Sequence, residues 1–518
     1  MICLERGASF RPLTELPNGC PGAHWYLWHT AYLCNRSHSI LTSNMSILHS
    51  FNKDTICAVA TAPGVGGIAV IRVSGADAFR LVSPLFLYRG KAIDLSGAKP
   101  RTALYGEIME ADELIDEVIL TCFHGPHSFT AEHTVEIACH GSIYIRRRIL
   151  EALINQGCRL AQPGEFTRRA YLNGRMDLSS AEAVADIIAS ESKAQHQMAM
   201  KQLRGGYSEE LNALREELLR LTGLMELELD FPEEDVEFAD RTELLALCDQ
   251  IELKLKKLID SYRLGNAVKR GIPVAIVGTT NVGKSTLLNT LLGEERAIVS
   301  DIHGTTRDTI EDTMHIGGYL FRFVDTAGLR ETDDTIESLG IERSRSKIKE
   351  ADIILGVLDA TRLEEANQLD HIREIWLKRG ERTMLVLLNK SENLPEDERN
   401  HLDQVLCDSL DCSEKPLFIS ARSGEGMDQL KEELVKIMDC AQANEADLIV
   451  SNARHHQLLR EAYDALQRMR SGFDMGLSTD LLTLDLRHAI SSIGEITGRE
   501  ITSDDTLHYI FAHFCIGK

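Results

Sequence analysis

A phosphate-binding loop is the feature of this sequence with the clearest chemistry. The apolar stretch Pro273–Val277 has the pattern of a buried strand, runs into the segment GTTNVGKS at residues 278–285, and is followed by a helical pattern. In this context glycines let backbone N–H groups close on phosphates, Lys284 contacts the terminal phosphates and the Ser285 hydroxyl ligates Mg²⁺. The loop predicts nucleotide binding by Asn281, Val282, Gly283, Lys284, Ser285 and Thr286.

Further motifs follow the phosphate loop along the chain. GTTRD at 304–308 offers Thr306 to Mg²⁺ and the γ-phosphate, DTAG at 325–328 places Asp325 near Mg²⁺, and NKSE at 389–392 and SAR at 420–422 end two more apolar stretches. The set resembles the translation-factor class of P-loop GTPases, in which an NKxD aspartate binds the guanine edge. Glu392 stands in that place and can still accept from guanine N–H groups. The predicted GTP-binding residues here are Gly304, Thr305, Thr306, Asp325, Thr326, Ala327, Gly328, Asn389, Lys390, Glu392, Ser420, Ala421 and Arg422.

The hydrolytic machinery departs from that of many regulatory GTPases. Leu329 follows DTAG, where those proteins carry a glutamine that orients the attacking water. Asn281, in the phosphate loop, is placed to hold a monovalent cation against the phosphates in place of an arginine finger's charge. Glu337 is a candidate to position the water, although an exposed helical carboxylate is the alternative interpretation of this residue.

Composition bounds the class of protein. The 518 residues include 56 Lys and Arg against 79 Asp and Glu, a net charge of −23, so a generally basic nucleic-acid coat is excluded but a local basic patch is not. The 12 cysteines form no CxxC pair, which favours reduced thiols in a cytoplasmic protein over zinc or disulfides. No apolar run has the roughly 18 residues that span a membrane, so no membrane partner is expected.

The patterns divide the chain into five parts and predict a multidomain protein of the α/β and α+β classes. Residues 45–170 mix short strand patterns with helices, 171–267 and 441–518 have helical patterns, and 268–440 alternate strands with helices. Ser179 and Glu182 have capping-box spacing at a helix start. Residues 1–44 show no clear period; they are either an untranslated stretch upstream of Met45 or a disordered extension.

The whole chain resembles the MnmE (TrmE) family of tRNA modification GTPases from about residue 54 to its end. The resemblance is carried by PGVGGIAVIRVSG, GPHSFTAEHTVEIACHG, QPGEFTRRAYLNGRMDLSSAEAVADII, DFPEED, the inserted nucleotide domain and the terminal FCIGK. It implies an α+β folate-binding and dimerisation domain, a discontinuous helical domain and an inserted Ras-like P-loop G domain. It does not cover residues 1–44.

The resemblance also implies a reaction and its partners. A family member works as a homodimer with an MnmG-type flavoprotein that carries FAD. Together they add an aminomethyl or carboxymethylaminomethyl group to carbon five of the wobble uridine of certain tRNAs, using a reduced folate (5-formyl- or methylene-tetrahydrofolate). GTP hydrolysis is stimulated by K⁺ and coupled to dimerisation of the G domains.

Matching motif positions assign residues to these roles. The resemblance implies K⁺ ligands, Mg²⁺ ligands, a catalytic carboxylate, four folate contacts and a cysteine with a possible chemical role; Ser300, Asp301, Ile302 and His303 also join the GTP-binding residues. The implied K⁺ ligands are Asn281, Ser300, Ile302 and Thr305, and the implied Mg²⁺ ligands are Ser285 and Thr306. Glu337 is the implied catalytic carboxylate. The implied folate contacts are Arg72, Glu136, Arg175 and Lys518, and the cysteine is Cys515.

Two alternative functions remain open on the residues alone. One is a GTP-gated RNA or ribosome assembly factor without covalent chemistry, and the other is a stand-alone folate aminomethyltransferase. Residues 54–170 and FCIGK disfavour the first, and the complete nucleotide site disfavours the second. A local tRNA contact is predicted at Arg146–Arg148 or Arg168–Arg169, with a solvated helix face as the alternative for the former.

Overall fold

The computed structural model describes two compact units. They comprise residues 54–175 with Gly517, and residues from 176 to 514. The described residues are 54–230, 241–295, 312–324, 350–363, 366–411, 415–444, 448–500, 504–512, 514 and 517.

The first unit is an α+β domain built on one sheet. Within the described residues the sheet has eight strands in the order β4-β3-β5-β6-β7-β2-β1-β8, and the β1–β8 pair is parallel. The strands are β1 (Ile56–Val59), β2 (Gly66–Ser74), β3 (Phe86–Tyr88), β4 (Lys91–Ala92), β5 (Ala103–Glu110), β6 (Glu113–Phe123), β7 (Thr134–Gly141) and β8 (Arg159–Leu160). The helices are α1 (Ala78–Val82), α2 (Ile143–Asn155) and α3 (Glu165–Leu172).

Alternation along the strands gives this sheet two different faces. Ile71, Val118 and Ile137 point into the core, where residues of α1 and α2 cover them. Side chains at the intervening positions point the other way, and Tyr105 and Ile119 are 63% and 48% exposed. The sheet therefore presents apolar side chains to solvent on its second face.

The segments ELIDEVILTCF and HTVEIACHG have strand patterns and GSIYIRRRILEALINQG has a helical period; β6, β7 and α2 confirm these predictions. Strand β5 was missed because Gly106 interrupts its pattern, since glycine weakens a strand signal. A Cβ at Gly106 would lie 2.3 Å from the Leu87 carbonyl oxygen, so close packing explains the glycine.

The second unit contains an open α/β sheet. Its described strands run in the order β10-β11-β9-β12-β13-β14; β10 pairs antiparallel with β11, and the remaining pairs are parallel. The strands are β9 (Ile272–Val277), β10 (Asp312–Ile316), β11 (Tyr319–Phe323), β12 (Ile353–Asp359), β13 (Thr383–Asn389) and β14 (Leu417–Phe418). The apolar stretches VAIVG, YLFRFVD, DIILGVLD, TMLVLLN and PLFIS predict five of these strands. They do not predict β10, whose alternating, partly exposed residues give a weaker apolar signal than the buried parallel strands.

Helices surround that sheet and continue on both sides of it in the sequence. Those within the sheet region are α8 (Lys284–Glu295), α9 (Ala366–Lys378), α10 (Glu396–Leu410) and α11 (Met427–Asn444). Those before it are α4 (Leu178–Ala189), α5 (Lys193–Leu203), α6 (Gly206–Asp230) and α7 (Arg241–Arg270), and those after it are α12 (Ala453–Asp474), α13 (Thr479–Thr497) and α14 (Asp504–Ala512). Leu214, Leu255, Leu459 and Leu486 of α6, α7, α12 and α13 share one core, so the predicted discontinuous helical domain is confirmed.

A buried ion-pair cluster joins α4 to α12. The carboxylate of Glu182 pairs with His455 and, at 3.0 Å, with Nε of Arg454. The predicted capping box is wrong, because Asp177 caps α4 by accepting from Ser180 N, which leaves Glu182 to the cluster. Burial alone would raise the pKa of Glu182, but the charges and hydrogen bonds of His455 and Arg454 outweigh it and lower the pKa to about 2.

In the Glu182→Gln variant, the free energy of unfolding should fall less steeply with decreasing pH than in wild type. The pKa of Glu182 is lower in the folded protein than in the unfolded chain, so the ionised cluster stabilises the fold above about pH 4.5. This contribution to the free energy of unfolding is about 3 kcal/mol, and it is lost as the pH falls toward about 2. Urea unfolding followed by circular dichroism across this range measures the effect. Glu216→Gln, at an exposed position of α6, is the matched control. Equal acid limbs for wild type and Glu182→Gln would contradict the assignment.

Candidate functional site

The phosphate loop lies between β9, which is wholly buried, and the start of α8. Its backbone is left-handed at Asn281 (φ 65°) and Gly283 (φ 98°). A Cβ on Gly283 would lie 2.3 Å from Nδ2 of Asn389, and one on Gly278 would lie 2.3 Å from the Val357 carbonyl oxygen. Both glycines are therefore required by close packing as well as by backbone conformation.

Asn389 ties three predicted motifs together at the ends of β9 and β13. Its Nδ2 donates to the Val282 carbonyl at 2.7 Å, and its Oδ1 accepts from Ala421 N at 2.9 Å. The side chain is 2% exposed, so both bonds are shielded from water. One buried amide thus fixes the phosphate loop relative to the SAR loop.

Lys390 extends this bridge to a residue that the sequence analysis missed. Its Nζ donates to the Asn281 carbonyl at 3.0 Å and pairs with the carboxylate of Asp359, at the end of β12. Burial would raise the pKa of Asp359, but its bonds with Lys390 and Thr361 outweigh burial and lower it, so the carboxylate is ionised. The signal in the sequence that could have identified Asp359 is its position: it is a carboxylate at the end of the apolar stretch of a predicted parallel strand.

Lys284 and Ser285 lie at the start of α8, and both side chains are half-buried. Nζ of Lys284 donates to the carbonyls of Gly278 and Thr279 at 2.9 and 2.7 Å, so the ammonium group is held across the mouth of the loop. Thr286 is exposed one residue further along. The helix N-terminus, the ammonium and the Ser285 hydroxyl fit a nucleotide phosphate with Mg²⁺.

The base side of the site follows β13 and β14. Glu392 is exposed in a turn, while the neighbouring Ser391 is buried and its Oγ donates to the Ile419 carbonyl at 2.9 Å. Ser420 and Ala421 are buried and Arg422 is exposed. The turn thus presents a solvent-accessible carboxylate at the place where the sequence predicted recognition of a guanine edge.

Several predicted site residues lie outside the described residues. They are Ser300, Asp301, Ile302, His303, Gly304, Thr305, Thr306, Asp325, Thr326, Ala327, Gly328, Glu337, Cys515 and Lys518.

Two predicted folate contacts are paired with each other in the first unit. Arg72 and Glu136 face each other across β2 and β7, and Nε and Nη2 of the arginine donate to one carboxylate oxygen at 3.0 and 2.8 Å. The guanidinium carbon also lies 5.2 and 5.6 Å from the ring centroids of Phe129 and Phe166. Arg175 is exposed after α3. Because both bonds use one oxygen of Glu136, the other oxygen retains its capacity to accept a hydrogen bond.

The C-terminal segment contacts the same unit. A Cβ on Gly517 would lie 2.1 Å from the Val59 carbonyl oxygen, so the chain passes directly over the end of β1. Strand β1 pairs with β2, where Ala58 is opposite Arg72. Gly517 is thus packed on the strand beside the one that carries Arg72.

The structure corrects one predicted tRNA contact. Arg169 is 2% exposed and is paired with Glu132 and Glu165, so it is structural. On α2, Arg147 and Arg148 form ion pairs with neighbouring glutamates, which fits the solvated-face interpretation.

A buried central strand, a glycine loop closed by an asparagine bridge and a lysine-headed helix define a P-loop nucleotide-binding domain of the GTPase class. Comparisons with known proteins identify the family. The pattern "MnmE helical domain" matches residues 178–515, and "GTP-binding protein TrmE N-terminus" matches residues 55–175. The chain belongs to the MnmE (TrmE) family.

Two individual relatives agree with this membership. A "tRNA modification GTPase MnmE" of Porphyromonas gingivalis is 90% identical over 474 residues, 92% of this chain and all of the relative. One of Bacteroides fragilis is 50% identical over 468 residues, 90% of this chain and all of the relative. One similar solved structure is that of Era in complex with MgGDPNP and a segment of 16S ribosomal RNA. The two sequences are 28% identical, the match covers 37% of this chain and 66% of the Era chain, and the TM-score is 0.26. Within the described residues, no helix is long and apolar enough to cross a membrane.

Proposed function

We propose that this chain hydrolyses GTP as part of a tRNA modification. With an FAD-containing, MnmG-type partner, it adds an aminomethyl or carboxymethylaminomethyl group to carbon five of the wobble uridine of certain tRNAs. The observation that carries the proposal is the Asn389 bridge between the phosphate loop and the SAR loop, in a chain of the MnmE family. The name of the relatives, tRNA modification GTPase, supports the reaction class.

Deletion of the gene tests the reaction directly. Mass spectrometry of wobble nucleosides should show loss of the modified uridine, restored by the wild-type gene but not by a variant that cannot bind GTP. Retention of the modified nucleoside in the deletion strain would overturn the proposal. Loss of ribosomal particles with intact nucleosides would favour an assembly factor instead.

The metal ions have distinct roles in this proposal. Ser285 and Thr306 would hold Mg²⁺ on the phosphates, where the ion neutralises developing charge. Asn281, Ser300, Ile302 and Thr305 would hold K⁺. Support comes from the exposed position of Asn281 in the phosphate loop, where its backbone has a positive φ. Glu337 would position the attacking water.

The folate site of the proposal lies on the open face of the first unit. Glu136 would accept from the pterin ring, while Arg72, Arg175 and Lys518 would meet carboxylates or the ring carbonyl; Cys515 is a further candidate for chemistry there. The Arg72–Glu136 pair and the position of Gly517 on β1 support this assignment. The bound folate would supply a one-carbon unit.

Glu136→Gln should weaken binding of 5-formyl-tetrahydrofolate by roughly 10- to 100-fold. The substitution keeps the size of the side chain but removes a charged acceptor, whose hydrogen bonds are worth about 1.5–3 kcal/mol. Isothermal titration of the full-length chain measures the affinity. Glu117→Gln, on neighbouring β6, is the matched control. An unchanged affinity in Glu136→Gln would remove this residue from the site.

The homodimer of the proposal would use the apolar row on the open face of the sheet. Tyr105 pairs with Ile119, Ile119 with Ala138 and Ala138 with Val70, so the row crosses four strands. Ile119 and Tyr105 are largely exposed, and contiguous exposed apolar surface marks association sites.

Ile119→Arg should therefore convert the protein from dimer to monomer, because the charge would be buried at the interface. Light scattering coupled to size exclusion should give about 57.8 kDa, the mass of one chain, for this variant and twice that for wild type. Leu377→Arg, at a position on α9 that is 75% exposed, is the control that should stay dimeric. A dimeric Ile119→Arg variant would exclude this face.

A further inference from the structure

Helix α5 is firmly anchored on one side. Its first turn has a capping box between Ser192 and Gln195, and its buried residues are Gln195, Ala199 and Gln202. Nε2 of Gln195 donates to the Lys269 carbonyl at 3.1 Å, and Nε2 of Gln202 donates to the Ser179 carbonyl at 2.8 Å. These bonds fix which side of the helix faces outward.

The outward side carries three cations and one amide side chain in a row. Lys193, Gln197 and Lys201 recur at four-residue spacing, and Arg204 follows directly after the helix; all four are exposed. These four residues are called the basic stripe. Its ends lie about 16 Å apart at the helical rise of 1.5 Å per residue. The helix sequence KAQHQMAMKQL contains no acidic residue, in a chain whose net charge is −23.

The cations of the stripe are available for a partner. In the part of the chain that the structure describes, no carboxylate pairs with the side chain of Lys193, Lys201 or Arg204. An open hollow of about 470 Å³ adjoins Lys201 and Arg204, and it is lined also by His196, Met200 and Glu209. Glu209 brings one negative charge to that hollow, and Lys201 and Arg204 bring two positive charges.

We propose that the basic stripe binds the phosphate backbone of the tRNA. Exposed cations on a rigid element, in an otherwise acidic chain, attract polyphosphate and release its counterions. The stripe has no Tyr, Trp or Phe, the aromatic anchors that protein interfaces favour, which argues against a protein partner. Phosphate contacts fix position without reading sequence, so the stripe would orient the tRNA. This inference rests on the proposed function, which supplies tRNA as the substrate.

The experiment compares two charge reversals of equal size. Lys201→Glu/Arg204→Glu removes two cations of the stripe, and Lys256→Glu/Lys257→Glu makes the same change at exposed positions of α7. Binding of a full-length unmodified tRNA transcript to the full-length chain is measured by filter binding at several KCl concentrations. The stripe variant should bind at least about tenfold more weakly at low salt, with the salt slope reduced by about two, whereas the α7 variant should bind like wild type.

A structural role is separated by a second variant and a second assay. Cations near a helix C-terminus can also stabilise the helix, so Lys201→Gln/Arg204→Gln, which keeps helix propensity, should show the same direction of effect on tRNA binding. GTP hydrolysis without tRNA should match wild type in every variant.

Three results would overturn the inference. The first is equal tRNA affinity of the stripe variant and wild type. The second is a loss of tRNA affinity in the α7 variant as large as that in the stripe variant. The third is a stripe variant that loses flavoprotein binding but keeps tRNA binding. The first two leave the proposed function standing if deletion of the gene removes the modified uridine. Persistence of that nucleoside after deletion removes the function itself, whatever the binding data.

Discussion

Gly283→Ala should greatly weaken GTP binding while the protein remains folded. A methyl group at this position would lie 2.3 Å from Nδ2 of Asn389, and the backbone there has a φ of 98°. Relieving the clash displaces Asn389 and breaks its bonds to Val282 and Ala421. Strain of about 1–3 kcal/mol and two lost bonds of about 0.5–1.5 kcal/mol each predict a loss of affinity of roughly a hundredfold or more.

Titration with a fluorescent GTP analogue measures this loss. Gly293→Ala, in helix α8, which begins directly after Gly283, is the matched control because an added Cβ there meets nothing within 4 Å. That substitution should leave affinity unchanged and favour the helix by about 0.5–1 kcal/mol. Near-normal GTP binding by Gly283→Ala would show that the asparagine bridge does not shape the loop.

Glu337→Ala should slow GTP hydrolysis by about 10²- to 10⁴-fold, the usual contribution of a positioned acid–base group. Because Leu329 cannot orient water, the proposed function gives that task to the carboxylate of Glu337. GTP affinity should stay close to that of wild type, since water positioning acts on the transition state more than on binding. Single-turnover hydrolysis and nucleotide titration separate the two quantities.

The cation requirement provides an independent control. Wild-type hydrolysis should be faster in K⁺ than in Na⁺ at equal ionic strength, and Glu337→Ala should stay slow in both. Equal wild-type rates in the two salts would reject the K⁺ assignment, whereas a near-normal rate for Glu337→Ala would reject the carboxylate. The two assignments therefore fail separately.

Local patterns predicted the parts of the nucleotide domain but not how they are connected. The strand before Gly278 and the helix after Lys284 follow from periodicity and glycine spacing, because both act over a few residues. The hydrogen bond from Asn389 to Val282 joins residues 107 apart, and a pattern of short range cannot predict it. Asp359 was missed for the same reason, since its partner Lys390 comes from the next strand.

The wrong predictions concern charged residues whose burial the sequence does not display. Glu182 has capping-box spacing, yet tertiary partners from α12 outweigh the local motif. Arg169 looked like a surface cation next to Arg168, but Glu132 and Glu165 draw it into the interior. Ion pairs distant in sequence decided both outcomes.

The tip of the β10–β11 hairpin rests on two helices. Ala194 N, in the first turn of α5, donates to the Gly318 carbonyl at 3.0 Å, and a Cβ on Gly317 would lie 2.3 Å from a methyl group of Val435 on α11. In sequence, this hairpin joins the segment of Thr306 to that of Asp325. A shift of the hairpin along its axis must move α5 or break its bond to Ala194. Binding of a nucleotide and binding of a ligand on α5 would then be coupled. Each ligand would change the affinity of the protein for the other ligand by the same factor.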